Sequence, residues 1–582
     1  MNDLLQQAAE REWLNDADRH LAHYLLELEA ESGQELALLT ALTSAQIREG
    51  NVCLPLRDNP LLAQLKITPD LDALAATRLV GLPGEVGKPL ILDDDRLYLA
   101  RYHVWERQVI DAIQHRVDAP PPQLDTTALQ RGLAAQFDAG SGLNWQRVAA
   151  ALAVTQRFSI ISGGPGTGKT WTLARILSLL QQQPGGAELR IALAAPTGKA
   201  AARMSESIAD ADPALAERLG AAQTLHRLLG MRPGRVQPRH HTDNPLPVDL
   251  LIVDEVSMVD LPMMARLLAA LPLDARLILL GDRFQLASVE AGQVMADLCG
   301  DAGEYYNDAL VDQVAALTGD NLPRAERDQP PMADHLVVLR DSRRFDPDKG
   351  IGRLASAVNR GDAAAALDAL QGDAAEIALV GADTATLRQL LRSQVVPLFA
   401  AIRKLSDPAL ALQRLEEVRV LCAVREGPLG VQQVNASIEN ALGIDSRGLY
   451  HGQPVMVVVN DYGQQLFNGD IGLVLRDEQG RLRVHFSDGH GGVRSILPSR
   501  LPSHETVYAM TIHKSQGSEF DQVILVLPDE DSPVVTRELL YTGITRARKR
   551  ITLCASPGAI EQAIQRRVRR ISGLYQALWG AM

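Results

Sequence analysis

Apolar positions change their spacing several times along the chain, and each change marks a change of structure. Up to about residue 115, leucine and alanine recur at helical spacing, as in Leu21, Tyr24, Leu25 and Leu28, which predicts an N-terminal helical domain over 1–118. Pro120-Pro121-Pro122 follows. A proline triplet stops helices and stiffens a connector, so 119–134 reads as a linker. From 135 to 335 short β-branched or Leu/Ala runs alternate with helical stretches, the pattern of an α/β domain with a parallel sheet. Its strands are expected at 158–161, 191–194, 250–253 and 277–280, each ending at a Gly, Pro or Asp cluster. The stretches 232–247 and 300–331 read as surface loops. A second α/β set is expected over 336–582, with strands at 418–421, 523–526 and 551–553. Inside it, residues from about 450 to 505 alternate with period two and carry Asn468-Gly469-Asp470 and Asp488-Gly489 turns, the mark of a small β insertion.

Composition narrows the function classes. A length of 582 residues calls for more than one core. Lys and Arg number 58 against 71 Asp and Glu, a net charge of −13. That excludes a generally basic nucleic-acid coat, but not an enzyme with one lined groove. Aromatic residues make up only 4%, so few bases can stack on rings. The cysteines Cys53, Cys299, Cys422 and Cys554 are scattered and form no CxxC pair, which points to a reducing compartment. With no apolar run long enough to span a membrane and no leader pattern, a cytoplasmic protein is expected.

In parallel α/β sheets, ligands sit beyond the carboxyl ends of the strands. Gly163-Gly164-Pro165-Gly166-Thr167-Gly168-Lys169-Thr170 stands at one such end and matches G-x-x-x-x-G-K-[ST]. Glycines permit the tight turn that aims backbone N–H groups at phosphate oxygens, and the following helix adds its positive end. Lys169 is expected to neutralise β/γ-phosphate charge and the Thr170 hydroxyl to hold Mg²⁺. Asp254 and Glu255 end the 250–253 strand; Asp254 suits the metal and Glu255 suits activating water. Together these residues predict an ATP- and Mg²⁺-dependent NTPase.

Further motifs suggest what the hydrolysis drives. They are Ala195-Pro196-Thr197-Gly198-Lys199-Ala200-Ala201, Thr224-Leu225-His226-Arg227, Gly281-Asp282-Arg283-Phe284-Gln285 and Ser342-Arg343-Arg344-Phe345, then Thr511-Ile512-His513-Lys514-Ser515-Gln516-Gly517-Ser518-Glu519-Phe520 and Tyr541-Thr542-Gly543-Ile544-Thr545-Arg546-Ala547-Arg548. In order and wording, over about residues 140–555, the chain resembles superfamily 1 helicases of the RecD type, the family of exodeoxyribonuclease V (RecBCD) alpha subunits. The resemblance implies two RecA-like P-loop NTPase domains, an N-terminal domain docked on partner chains and a small SH3-like β insertion. It also implies an ATP-dependent DNA helicase, moving 5′ to 3′ on single-stranded DNA, with RecB-like and RecC-like partners in break repair and recombination. A stand-alone helicase of the same type, or a non-translocating ATP switch, remain the alternatives.

The resemblance also distributes roles. Gln285 suits reporting the γ-phosphate, and Arg344 and Arg546, in the second half, suit completing the site only when the halves close. Arg343 leaves the register of Arg344 open. Gln146 resembles the adenine-reading glutamine, and Gly517 and Glu519 resemble positions near the nucleotide. Pro196, Thr197, Lys199, Thr224, His226, Thr511, His513, Lys514 and Ser515 match strand-binding positions, although either histidine also suits a core. Hydroxyls and a few cations on phosphates grip without reading sequence. Tyr462 and Phe467 are the only rings nominated as contacts or wedges. No compact Asp/Glu/Lys cluster stands outside these motifs, so any nuclease activity is expected in partner chains. The basic run 565–570 is expected on a helix, facing DNA, a partner or solvent.

Overall fold

The computed structural model of the protein describes residues 3–28, 33–138, 142–232, 234–372, 374–445, 448–461, 463–488 and 492–580; Tyr462 and Gly489 lie outside them. The N-terminal part is not purely helical. Helix Gln34–Arg48, with Asp16–Leu28 packed against it, lies on a four-stranded sheet of β1 (Leu54–Pro55), β2 (Val80–Gly81), β3 (Leu90–Asp93) and β4 (Arg96–Leu99), in the order β1-β4-β3-β2. Strands β3 and β4 form a hairpin whose Asp93↔Arg96 register leaves only Asp94 and Asp95 in the turn. Asp94 takes a left-handed φ of 52°, a conformation aspartate tolerates without the glycine that usually announces such turns.

The next helix, Ala100–Val117, packs along Leu261–Ala270 of the first α/β half. Buried Arg116 near its end donates to the carbonyls of Ala275 (3.0 Å), Pro272 (2.7 Å) and Ala112 (2.8 Å). The expected linker 119–134 is largely structured. Helix Thr126–Gln136, capped by Asp125, buries Leu129 and Leu133, and Gly132 lets it approach Leu179. Only its first residues act as a connector.

Six strands build the first large sheet: β5 (Phe158–Gly163), β6 (Ile191–Ala195), β7 (Gln223–Thr224), β8 (Leu250–Val253), β9 (Arg276–Gly281) and β10 (Leu336–Leu339). All pairs are parallel, in the order β10-β5-β9-β8-β6-β7. Its Ile, Leu and Val side chains divide between two cores, one on each face, as a parallel sheet requires. The expected boundary at 335/336 is therefore displaced: Leu336↔Ile160 pairing keeps β10 in the first sheet. The second sheet comprises β11 (Ile377–Val380), β12 (Val418–Cys422), β18 (Ala509–Thr511), β19 (Phe520–Val526) and β20 (Ala547–Cys554), parallel throughout in the order β11-β20-β19-β12-β18.

Between β12 and β18 stands an antiparallel five-stranded sheet of β13 (Gln453–Val457), β14 (Ile471–Arg476), β15 (Leu482–Ser487), β16 (Val493–Ile496) and β17 (His504–Thr506). Its own small core holds Val455, Val474, Val484 and Phe486. Helix Pro557–Gln565 stops before the basic run, which continues as extended chain rather than the expected helix. Arginines at helical spacing would repel; here Arg566 and Arg570 reach separate acceptors. Arg570 donates to the carbonyls of Glu290 and Gly292 (2.7 Å each). Ile571 then pairs with Asn51 and Val52, and Gly573 donates to Glu106, so the tail straps the second half to the N-terminal part. All four cysteines are buried and free. Among the described residues no helix is long and apolar enough to cross a membrane.

Candidate functional site: a phosphate loop in an interdomain cleft

Strand β5 delivers the chain to Gly163, and the loop turns through left-handed Gly166 (φ 80°) and Gly168 (φ 81°) into helix Lys169–Gln181. Neither glycine tolerates a side chain: a Cβ on Gly166 would strike Arg344, and one on Gly168 would strike Gln146. Thr167 Oγ1 donates to the Gly164 carbonyl (2.8 Å), and Gln146 Nε2 donates to that of Thr167 (2.8 Å). Gln146 thus lies on the loop from the side where helix Trp145–Thr155 begins. The Lys169 ammonium rests on the carbonyls of Gly163 (2.5 Å) and Gly164 (3.4 Å). Pro165 and Thr170 complete the loop at its crest and at the second helical position.

The neighbouring strand ends bring acids to the same edge. After β8, Asp254 is buried and accepts from the Glu255 N–H (2.8 Å). Burial, then the charge of Glu255, pushes its carboxyl up, with Lys169 pulling back. Glu255 itself adopts φ 54°, a strained left-handed conformation of a kind that concentrates at functional sites. After β9 comes Asp282, buried with its carboxyl likewise raised by burial. It accepts from Phe284 N (3.1 Å) and Gln285 Nε2 (3.2 Å). The Gln285 Oε1 is buried without a partner among the described residues.

The second half closes on this edge directly. Tyr541 donates its hydroxyl to Asp282 (3.1 Å), Leu286 N donates to Thr542 Oγ1 (3.0 Å), and Gln516 Nε2 donates to the Leu286 carbonyl (3.0 Å). Asp282, Tyr541 and Thr542 were not singled out from sequence, although their motifs were. Their pairing joins segments 259 residues apart. Arg546 is buried in the cleft, with Nε on the Thr542 carbonyl (3.2 Å) and Nη1 on that of Ser518 (3.3 Å). Burial pulls its guanidinium down, and Glu255, Glu519 and Asp282 pull it back up, which places carboxylates of both halves around it.

Arg344 departs from expectation. It follows β10 of the first sheet, so its segment lies on the phosphate loop without any closure. Arg343 N donates to the Gly166 carbonyl (2.9 Å) and Ser342 Oγ to that of Pro165 (3.1 Å). The Arg344 guanidinium bonds Glu519 (2.8 Å), and Arg548 (3.5 Å) and Arg203 (3.8 Å) face the same carboxylate. Burial alone would raise the Glu519 carboxyl, but Arg344, Arg203 and Arg546 hold it down at about 2. Arg203, on helix Gly198–Ala211, carried no motif signal. Gly517 is buried, with a left-handed φ of 70°, and faces Thr197 rather than the phosphate loop.

The expected strand-binding residues form a second edge. Ala195↔Thr224 pairing sets Pro196 and Thr197 beside Thr224. Thr197 and Thr224 cap their helices through Ala200 N (3.2 Å) and Arg227 N (3.3 Å), and His226 is exposed, not a core residue. Lys199 reaches across to Ser518 Oγ (2.9 Å), and burial pushes its amine down to about 8. The Phe467 ring of the β insertion covers Gly198. On the opposite side, the Thr511 hydroxyl accepts from Lys514 N (3.4 Å), and half-buried His513 has its imidazole pulled down by burial and by Arg570. Ser515 is the exception: it is fully buried, its hydroxyl turned onto the Ile512 carbonyl (2.6 Å), so it does not face the edge.

Residues 146–291 match the family model of an AAA domain, 506–554 that of the UvrD-like helicase C-terminal domain, and 10–98 that of the N-terminal domain of RecBCD enzyme subunit RecD. The RecBCD enzyme subunit RecD of Mycolicibacterium smegmatis is 40% identical, with 97% of this chain and 98% of that protein covered. The Haemophilus influenzae RecBCD enzyme subunit RecD is 39% identical over 75% of this chain and 72% of its own. The ATP-dependent RecD2 DNA helicase of Deinococcus radiodurans is 31% identical over 71% of this chain but 49% of its own length.

Proposed function

The chain belongs to the RecD family of RecBCD enzyme subunits, and on that premise we propose that it is an ATP-hydrolysing DNA helicase working as the alpha subunit of a helicase–nuclease complex. Its two large sheets are the RecA-like motor domains; the β insertion is their SH3-like accessory, and the N-terminal part docks on RecB-like and RecC-like chains in the cytoplasm. Matching over 98% of one RecD subunit, against 49% of RecD2, supports the subunit over the stand-alone reading. Movement is assigned as 5′ to 3′, following the family resemblance.

The site supports this chemistry in detail. The loop 163–170 cradles the phosphates, and Lys169 exchanges the Gly163 and Gly164 carbonyls for β/γ oxygens. Gln146 reads adenine. Thr170 and Asp254 would hold Mg²⁺, which supplies charge neutralisation at the phosphates when bound. The donors fit, since a hydroxyl and a buried carboxylate crowded by Glu255 are hard oxygen ligands. Among the described residues no group of three or more His, Cys, Asp or Glu could hold a metal alone, as befits an ion completed by phosphate and water. Glu255 orients the attacking water. Gln285, Arg344 and Arg546 answer the γ-phosphate, with Glu519 holding the second wall.

The observation that carries the reading is the cleft itself. Buried Arg546 stands among carboxylates of both halves, and Asp282–Tyr541 ties the strand end beside the phosphate loop to the second half. A change at the γ-phosphate is thereby felt across the interface, and the outer edge of Pro196, Thr197, Lys199, Thr224, His226, Thr511, His513 and Lys514 moves with it. The test is ATP hydrolysis with and without single-stranded DNA, for wild type and Lys169→Gln. Strong stimulation in wild type, lost in the variant, is expected; hydrolysis indifferent to DNA would instead fit an ATP switch or scaffold.

A further inference from the structure

Strands β12 and β18 run side by side and parallel, so the loops leaving their carboxyl ends rise together on the strand-binding side of the second half. One loop carries Arg425 and the other Lys514. Between them stands Glu505 of β17, which splits its carboxylate: one oxygen accepts from Arg425 Nη2 (2.8 Å), the other from Lys514 Nζ (2.8 Å). The three line a cleft of about 300 Å³ together with Thr511 and Asn435. Asn435 pins the floor, accepting from Ala509 N (2.8 Å) and donating to the carbonyls of Thr506 and Ala509 (3.2 Å each). Glu505 is therefore held in register with the end of β18.

The same cleft also holds Glu439, whose carboxylate accepts from the Tyr450 hydroxyl (2.6 Å), so Arg425 and Lys514 are balanced by two carboxylates, of which Glu505 is the one that bridges them. The Arg425 side chain is 58% exposed, and those of Glu505 and Lys514 are each 33% exposed. Ion pairs this open are worth little, so another anion can displace the carboxylate. A phosphodiester offers two non-bridging oxygens, as a carboxylate does, and arginine and lysine bind both. We propose that Arg425 and Lys514 form a backbone-phosphate subsite for the DNA strand, and that Glu505 holds that place as an internal competitor. Lys514 was expected to bind DNA; Arg425 and Glu505 were not. The inference rests on the DNA-motor reading and adds a means of limiting grip: each phosphate must displace Glu505, which keeps binding weak enough for release.

The test is binding of a fluorescent oligothymidylate by the full-length chain, followed by anisotropy over a range of salt concentrations, for wild type, Arg425→Ala, Arg425→Lys and Glu505→Gln. Losing one phosphate contact lowers the slope of log affinity against log salt by about 0.7, which is about fivefold in affinity between 1 M and 0.1 M salt. Arg425→Ala should show that loss, Arg425→Lys should keep the wild-type slope, and Glu505→Gln should bind several-fold tighter. A folding defect would weaken binding in every variant, so the opposite signs separate it from the proposed effect. Wild-type affinity and slope in Arg425→Ala, or no tightening in Glu505→Gln, overturns the inference alone. A wild-type chain that fails to bind the oligonucleotide removes the motor reading as well.

Discussion

Glu519 is the carboxylate around which the two halves gather their guanidinium groups, and Glu519→Gln removes its charge while keeping its shape. Arg344 lies at 2.8 Å, Arg548 at 3.5 Å and Arg203 at 3.8 Å, and only 17% of the Glu519 side chain is exposed. Against the cost of burial, Arg344, Arg203 and Arg546 hold the carboxyl at about 2, from an ordinary 4.5. A carboxyl depressed in the folded state contributes stability that is present above 4.5 and lost as pH falls toward 2. The shift corresponds to about 3 kcal/mol at pH 7 and about 1.5 kcal/mol at pH 3. Urea unfolding of wild type and Glu519→Gln, repeated between pH 7 and pH 3, should show the wild-type advantage shrinking in that proportion. An advantage that is absent at pH 7, or that stays constant with pH, refutes the claim that the arginine cluster is held by this charge.

Other residues give independent tests. Arg546→Ala should lower DNA-stimulated hydrolysis by about 10³-fold while leaving nucleotide affinity nearly unchanged in a fluorescent-nucleotide titration; equal loss of both would remove its transition-state role. Arg147 grips Asp320 with two bonds, of 2.8 and 2.7 Å, in the buried first half. Arg147→Ala should therefore cost about 3–5 kcal/mol in urea unfolding, and a cost below about 1 kcal/mol would contradict the pairing. Burial pushes Glu106 up to about 7, against the bonds from Tyr98 and Gly573 that lower it. Its contribution is thus complete below 4.5 and lost as pH rises through 7. Wild type should lose stability relative to Glu106→Gln between pH 6 and pH 8, and an unchanged difference would refute the shift.

What was legible in the sequence was chemistry confined to a short stretch. The phosphate loop and the Asp254-Glu255 strand end need only local turns, so Gly166, Gly168, Lys169 and both acids stand where their spacing placed them. Long-range pairing was not legible. Nothing local says that β10 joins β5, yet that pairing fixes Arg344 against Gly166 and removes it from the second half. The Glu519 cluster draws on Arg203, Arg344 and Arg548, three segments with no common pattern. Ser515 sits in a motif of strand-binding residues, yet the short helical turn His513–Ser515 points its hydroxyl into the core. The β3–β4 hairpin was hidden by a turn of two aspartates, and the extended tail by a basic run that resembles a helix face.

The central claim is that nucleotide held at the phosphate loop drives strand separation, and duplex unwinding tests it most directly. A fluorescent duplex with a 5′ single-stranded tail is incubated with ATP and Mg²⁺ and either the wild-type chain or Lys169→Gln, each also assembled with RecB-like and RecC-like partners that carry inactivated motor sites. The account predicts ATP-dependent displacement by wild type, none by Lys169→Gln, and little from a 3′-tailed duplex. Displacement that survives Lys169→Gln, or wild-type hydrolysis that separates no strands, would contradict it.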